Sequence, residues 1–277
     1  MGWTFATAVR MLPRRWRFGA AMRFARAAEP LLRRTPAFRV QDVWNVDGAA
    51  EIATHLVLWT LTRHGVRFDP VIVARGYEGL LRAHAEGRGV LLVAAHAALG
   101  VTAIHFFHRD ALAPIIVAPE PQMRVPGSAV FVETVQPAPT FLLSVRDRLR
   151  AGRLVGTMLD VLEHHGDLTF EFATPRGSAI MSSALLQVAV RCAARVVFME
   201  VHVDKGRLVG CFVTPASDTV EGLTEEFIAY VRQHQERRCA AAIAPAAPPA
   251  PRRAPRTRPA AAPWSAGSGS SRRTAAR

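Results

Sequence analysis

Apolar and polar positions along residues 40–236 follow two patterns that alternate and predict helices and strands in turn. Short aliphatic runs bounded by turn residues predict strands at Val90–Val93, Pro114–Ala118, Leu154–Leu159, Leu168–Phe172, Arg195–Val203 and Leu208–Thr214. Stretches with helical spacing predict helices at Gly48–His64, Tyr77–Glu86, Thr102–Phe107, Pro139–Ala151, Ser182–Ala193 and from Asp218 through Val231. This alternation is typical of an α/β fold with a mostly parallel central sheet flanked by helices.

One segment, Gly89–His108, has no Asp, Glu, Lys or Arg and is long enough to cross a bilayer. It contains three histidines, and its pattern changes from an aliphatic run to helical spacing. We therefore interpret it as a buried strand followed by an apolar helix, in preference to a membrane span.

Charge divides the chain into three parts. The net charge is +13, but residues 1–39 contain nine Arg and one Glu, and residues 237–277 contain nine Arg and no acid. The body between them is mildly acidic, so the composition gives no reason to expect specific nucleic-acid binding. We predict a basic aromatic segment at 1–39, an α/β domain at 40–238, and a disordered tail rich in Ala, Pro and Arg at 239–277.

The N-terminal segment combines aromatic residues such as Trp3, Phe5, Trp16 and Phe24 with interleaved arginines. This mixture suits a helix that lies on an anionic membrane surface. The alternative is a helix that packs on its own domain in a protein encoded by a GC-rich genome, because Lys205 is the one lysine in the chain.

Three cysteines, Cys192, Cys211 and Cys239, are widely spaced and match no zinc-ligand pattern. We expect free thiols in a reducing compartment and no metal. The run Glu163–His165 is interpreted as an exposed turn, because adjacent histidines point apart on a helix or strand.

His96 follows the strand Val90–Val93 and precedes a helix, which is the position where open α/β sheets place ligands. A neutral imidazole at that position can take a proton from an attacking hydroxyl. Gly100, four residues later, would allow close approach of a substrate. A histidine in such a place can also be a buried, hydrogen-bonded residue of the core.

The residues around His96 belong to an ordered set of motifs: Gly87–His96 (GRGVLLVAAH), Gly152–Gly156 (GRLVG) leading to Asp160, Phe170–Ala173 (FEFA), Arg191–Phe198 (RCAARVVF) and Val231–Glu236 (VRQHQE). The set resembles the lysophospholipid acyltransferase superfamily over residues 45–236. The most similar branch is the bacterial one that adds secondary lauroyl or myristoyl chains to lipid A.

The resemblance implies a lysophospholipid-acyltransferase-like fold and transfer of a fatty acyl group to a hydroxyl of a lipid acceptor. The donor would be a thioester, either acyl-CoA or acyl carrier protein, with no cofactor. The acceptor would be a lipid A precursor or a lysophospholipid-like molecule. The location implied is the cytoplasmic face of the inner membrane, with His96 as the general base.

The family pairs this histidine with an acid five residues later, where this chain has Val101. An aliphatic residue can neither orient an imidazole nor balance its charge. Two hypotheses therefore stand: an acyltransferase that takes its acid from elsewhere, such as Asp110 or Asp160, or a catalytically impaired relative that binds lipid, an acyl chain or a protein partner.

Other candidates carry less information. His105 and Asp110 repeat the family spacing, but residues five apart on a helix point about 140° apart, so the match is interpreted as accidental. Arg124, expected in the loop after Pro114–Ala118, is a candidate phosphate ligand. Asp160 is a candidate for substrate binding or for a turn, and Ser182 and Ser183 are expected to cap the helix that follows.

Overall fold

An eight-stranded sheet forms the centre of the protein in this computed structural model. The residues that the structure describes are 2–35, 49–94, 99–110, 112–118, 122–125, 127–128, 131–136, 140–159, 169–174 and 177–243. The strands are β1 (Ile72–Arg75), β2 (Val90–Ala94), β3 (Ile115–Val117), β4 (Gln122–Arg124), β5 (Phe131–Val135), β6 (Leu154–Met158), β7 (Thr169–Thr174), β8 (Gly177–Ser182), β9 (Arg195–Asp204) and β10 (Arg207–Val213).

Helices lie before, between and after these strands. They are α1 (Gly2–Met11), α2 (Arg14–Leu32), α3 (Ala49–Arg63), α4 (Tyr77–Ala85), a 3₁₀ turn (Gly100–Ala103), α5 (Ile104–Arg109), α6 (Phe141–Arg150), α7 (Ala184–Arg191) and α8 (Val220–Ile243). The described residues up to Ala242 belong to one compact unit.

The strand order in the sheet is β1-β10-β9-β2-β6-β3-β5-β4, and β7 pairs with β8 in a separate hairpin. Five of the seven pairings in the large sheet are parallel, and β9–β10 and β5–β4 are antiparallel. The prediction of an α/β fold with a mostly parallel central sheet flanked by helices is confirmed.

Burial of β2 on both faces explains its unbroken aliphatic sequence, since every residue of Val90–Ala94 is buried. Val90, Leu92 and Ala94 belong to one hydrophobic cluster, together with residues of α1 to α5. Leu91 and Val93 belong to a second cluster on the opposite face, with residues of α6, α7 and α8. The sheet therefore lies between two layers of helices, as parallel sheets generally do.

The N-terminal helices pack on the body of the protein. Phe18, Ala21, Met22 and Ala25 form the buried face of α2 and join the cluster that contains β2. Over its described part, residues 2–35, segment 1–39 therefore packs against the rest of the protein. The opposite face of α2 is exposed.

The two predicted elements of Gly89–His108 are both observed, as β2 and α5. Four strands have no counterpart in the prediction, namely β1, β4, β5 and β8. Helix α8 continues to Ile243, five residues beyond the predicted end of the domain at Arg238. Residues 244–277, the rest of the predicted tail, lie outside the described residues.

Candidate functional site

Three adjacent parallel strands, β9, β2 and β6, run toward one edge of the sheet, which we call the carboxyl edge; β2 and β6 end at the same level and β9 continues to Asp204. Ala94, the last residue of β2, pairs with Met158 on β6 and with Met199 on β9. Ligand sites of open α/β sheets lie outside the carboxyl ends of parallel strands. This edge is therefore the first place to look for a site.

The chain leaves β2 and β6 toward opposite faces of the sheet. After β2 it enters the 3₁₀ turn and α5, whose buried residues include Ala103 and Phe106 in the first cluster. After β6 it returns through β7, β8 and α7, whose Leu185 belongs to the second cluster. Adjacent strands with diverging connections define a topological switch point, where a crevice opens between them.

Two residues predicted from the sequence follow these strand ends. His96 comes two residues after Ala94, and Asp160 comes two residues after Met158. Both lie outside the described residues, as do Glu163–His165. The structure adds the register of the two strands that precede these residues: Ala94 of β2 and Met158 of β6 are direct partners.

Gly100 lies at this crevice as the first residue of the 3₁₀ turn. A Cβ at this position would lie 2.7 Å from Met158 Cε, so the space beside Gly100 holds the end of the Met158 side chain. The glycine allows the turn to approach β6, and its close neighbour is a flexible thioether.

Arg124 does not belong to the crevice. It lies on β4, the outermost strand and the fourth from β2, so its predicted place in a loop is wrong. Arg124 pairs with Phe131, the first residue of β5, and therefore lies toward the opposite edge of the sheet. Its guanidinium carbon is 5.6 Å from the centroid of the Phe131 ring, an exposed cation–π contact.

His105 is the second residue of α5, so it does not precede the helix as the family spacing requires. Its ring is half-buried, with its centroid 6.3 Å from that of Phe68. Asp110 is exposed directly after α5. Ser182 Oγ accepts a hydrogen bond from the backbone N–H of Ala184, the first residue of α7, at 3.2 Å, but the N-cap residue is Ser183, which makes no side-chain capping hydrogen bond.

Sequence reasoning missed a histidine–carboxylate pair at the carboxyl edge. Glu200 follows Met199 on β9, and His202 lies two residues further on the same face of the strand. Glu200 Oε1 is 3.9 Å from His202 Nδ1, with the Glu200 side chain 8% exposed and the His202 side chain 23% exposed. The Glu-x-His spacing within a predicted strand was the available signal.

The opposite, amino edge of the sheet carries exposed ion pairs. Glu86 Oε2 accepts hydrogen bonds from Arg88 Nη2 at 2.6 Å and from Arg195 Nε at 2.8 Å. The hydrogen bond from Arg195, followed by that from Arg88, lowers the pKa of Glu86 to about 2. These residues lie at the strand starts, away from the crevice.

The exposed face of α2 is a second candidate surface. Trp16 is 57% exposed and Leu31 is 62% exposed, and Arg23 and Arg34 are exposed beside them on this face. Other arginines of the segment bind the protein itself. Arg17 donates to the carbonyl oxygens of Leu12, Arg67 and Arg10, and Arg14 forms an ion pair with Asp69.

Within the described ranges, no group of three or more His, Cys, Asp or Glu side chains is arranged to hold a metal ion. The same residues include no helix that is both long enough and apolar enough to span a membrane. No protein-family model matches the sequence, and no curated protein gives a significant match.

Proposed function

We propose that this protein transfers a fatty acyl group from a thioester to a hydroxyl of a lipid acceptor, with His96 as the general base. The observation that carries the proposal is the switch point between β2 and β6, since the chain places His96 two residues after Ala94. An imidazole that follows a buried central strand in this topology has the position expected of a catalytic base.

The motif resemblance described above supports the same reaction and a lysophospholipid-acyltransferase-like fold. The donor is proposed to be acyl-CoA or acyl carrier protein, and the acceptor a lipid A precursor or a lysophospholipid-like molecule. Because position 101 is valine, the acid that orients His96 must come from another part of the chain. Asp160 is a better substitute than Asp110, because it follows Met158, the residue paired with Ala94.

The activity test uses the purified full chain with lauroyl and palmitoyl thioesters of CoA and of acyl carrier protein. Each donor is offered with a lysophospholipid and with a lipid A precursor, and the products are measured by mass spectrometry. We expect an acceptor heavier by one acyl group. Absence of acylated product with every combination would contradict the proposal.

The role of His96 is tested in the same assay. His96→Ala is expected to lower the transfer rate by about 100-fold or more, because general-base catalysis contributes on that order. The control is His64→Ala, which removes a half-buried imidazole that follows α3. Equal rates for His96→Ala and wild type would exclude His96 as the base.

We further propose that α2 lies on an anionic membrane, with Trp16 and Leu31 in the lipid interface and Arg23 and Arg34 near phosphates.

Vesicle flotation tests this membrane contact. Wild-type protein should float with phosphatidylglycerol vesicles more than with phosphatidylcholine vesicles. The double variant Trp16→Ser, Leu31→Ser should lose this binding at least about 10-fold. The control Val71→Ser removes an exposed apolar residue from the edge of β1. Equal loss in the control would contradict the assignment of this face.

The second candidate function is binding of lipid, an acyl chain or a protein partner without catalysis, which Val101 favours. The variant Val101→Asp separates the two candidates. If the wild-type protein is inactive and Val101→Asp transfers acyl groups, the natural protein is an impaired relative that retains the site. If wild type is active, this second candidate is excluded.

A further inference from the structure

Three helices, α6, α7 and α8, cover one face of the sheet, where their buried residues form the second cluster. Helix α6 packs on β5 and β6, α7 packs on β2 and β9, and α8 packs on β9 and β10. Their order across the face is therefore α6, α7, α8. Packed helices lie about 10 Å apart, so this layer is roughly 20 Å wide between the axes of its outer helices.

Two of these helices end at the amino edge of the sheet. Helix α6 ends at Arg150, four residues before β6 begins, and α7 ends at Arg191, four residues before β9 begins. Strands β6 and β9 start side by side with β2 between them, since Val90 pairs with Leu154 and with Arg195. The carboxyl ends of α6 and α7 therefore lie next to each other at this edge.

The third helix, α8, begins toward the same edge. Strand β10 is antiparallel to β9 and ends at Val213, level with Phe198, so the chain leaves it in the direction of the start of β9. Helix α8 then returns across the sheet, because Phe227 packs on Phe198 and Tyr230 Oη donates to the Cys211 carbonyl oxygen, further back along β10. The first turns of α8 thus lie beside the end of α7.

The charges at these helix ends are opposite in sign. Arg150 and Arg191 are exposed at the ends of α6 and α7. Three exposed acids lie at the start of α8, namely Asp218, Glu221 and Glu225. Each sign suits its helix end, because the helix dipole favours cations at the carboxyl end and anions at the amino end. We call these five residues the helix-end charges.

The helix-end charges differ from their neighbours in having no ion pair with another residue that the structure describes. Nearby, Glu86 pairs with Arg88 and Arg195, and Glu133 pairs with Arg148 at 2.7 Å. Intramolecular pairs therefore neutralise much of the amino edge, and the helix-end charges remain open to a contact from outside the chain.

We propose that a second copy of this chain binds at the ends of α6, α7 and α8, with the arginines of each copy against the acids of the other. The two signs lie side by side, so rotation by 180° places each on its opposite, as an isologous interface requires. Charge complementarity of this kind speeds association and selects the partner. The inference is independent of acyl transfer. Helix α2 packs on the opposite face of the sheet, so the proposed membrane contact stays free.

Sedimentation equilibrium of the full-length protein tests the association. In about 50 mM NaCl, wild type should show a monomer–dimer equilibrium. Its Kd should rise at least about 10-fold in about 500 mM NaCl, because salt screens exposed charges. A wild-type protein that is monomeric at both salt concentrations would overturn the inference, and so would a dimer whose Kd does not depend on salt.

Charge reversal identifies the surface. The variant Arg150→Glu, Arg191→Glu and the variant Glu221→Arg, Glu225→Arg should each be monomeric, because like charges then meet. An equal mixture of the two should form dimers with a Kd within about 10-fold of wild type, since reversed charges meet reversed ones and unchanged charges meet unchanged ones. Recovery would also show that both variants fold. A mixture of folded variants that stays monomeric would overturn the inference.

The matched control is Arg207→Glu, Arg232→Glu, which makes the same change in net charge at exposed positions on β10 and on α8 beyond Val231. It should dimerise as wild type does, and an equal loss in this control would overturn the assignment to the helix-end charges. Thermal unfolding identifies a reversal variant that does not fold. The neutral variant Arg150→Gln, Arg191→Gln then decides: its Kd should rise about 10-fold, and a wild-type Kd would overturn the inference.

Discussion

The two edges of the central sheet differ in which atoms make their close contacts. At the amino edge, backbone meets backbone: the Val90 N–H donates to the Arg153 carbonyl oxygen at 3.1 Å, and the Arg195 N–H donates to the Gly89 carbonyl oxygen at 3.0 Å. At the carboxyl edge the close contact beside Gly100 is the mobile end of the Met158 side chain. A backbone contact cannot yield without a shift of the strand, whereas a side-chain contact can yield by rotation of the side chain.

The acids of the two edges differ in their exposure to solvent. Glu86 at the amino edge shares its carboxylate with Arg88 and Arg195 on an exposed surface, where ion pairs contribute little to stability. Glu200 at the carboxyl edge is buried beside His202. An exposed pair adjusts to the loss of a partner, but a buried pair leaves a charge or a polar group without hydration. Loss of a partner should therefore cost more for the acid of the carboxyl edge than for the acid of the amino edge.

The largest effect should come from Gly89→Ala at the amino edge. Gly89 has a φ of +80°, and a Cβ would lie 2.2 Å from the Leu149 carbonyl oxygen. We expect a loss of about 3 kcal/mol or more in the free energy of unfolding, measured with urea. Gly87→Ala is the control, since Gly87 has a φ of +72° and open space around it. It should cost about 1 kcal/mol, and equal losses would show that the contact with Leu149 is not tight.

A smaller effect is expected from Glu200→Ala at the carboxyl edge. Because the partly buried His202 imidazole loses a polar neighbour, the substitution should cost about 2 kcal/mol in urea unfolding. Glu86→Ala removes an acid that pairs with Arg195 at the other end of the same strand, β9, and should cost less. A greater loss for Glu86→Ala would show that the exposed pair contributes more to stability than the buried acid does.

A still smaller effect tests whether the crevice adjusts. Gly100→Ala should cost about 1 kcal/mol or less, because Met158 Cε can move by rotation of the side chain. The double variant with Met158→Ala measures the coupling, and the added cost of Gly100→Ala should disappear in that background. A cost for Gly100→Ala as large as that for Gly89→Ala would show a rigid carboxyl edge.

The smallest expected effect concerns acid. The pKa of Glu86 is about 2 in the folded protein, below its ordinary value of 4.5, owing to hydrogen bonds from Arg195 and Arg88. Its contribution to stability is therefore present above pH 4.5 and is lost as the pH falls toward 2. Between these pH values, unfolding of Glu86→Gln should depend on pH less steeply than unfolding of wild type. Identical slopes would show that the pairs do not persist in solution.

Much of the secondary structure follows from local sequence. The aliphatic run of β2, the spacing of α6 and the turn at Lys205–Gly206 are short-range signals, and the structure has each element in place. Strands β1, β4 and β8 escaped because they are short or lack an aliphatic run, and β5 escaped because Glu133 and Thr134 interrupt its apolar residues. Such strands depend on pairing with distant partners, which local patterns do not reveal.

The sequence by itself determined the α/β class and the strand that precedes His96. It also showed that position 101, where the family it resembles has an acid, is valine. Only the tertiary structure decided that α2 has a buried face on the body, that Arg124 lies four strands from β2, and that β2 and β6 diverge. It also brought His202 and Glu200 to the edge where β2 ends. Helices and strands follow patterns along the chain, whereas strand order and register follow from the burial of two faces at once.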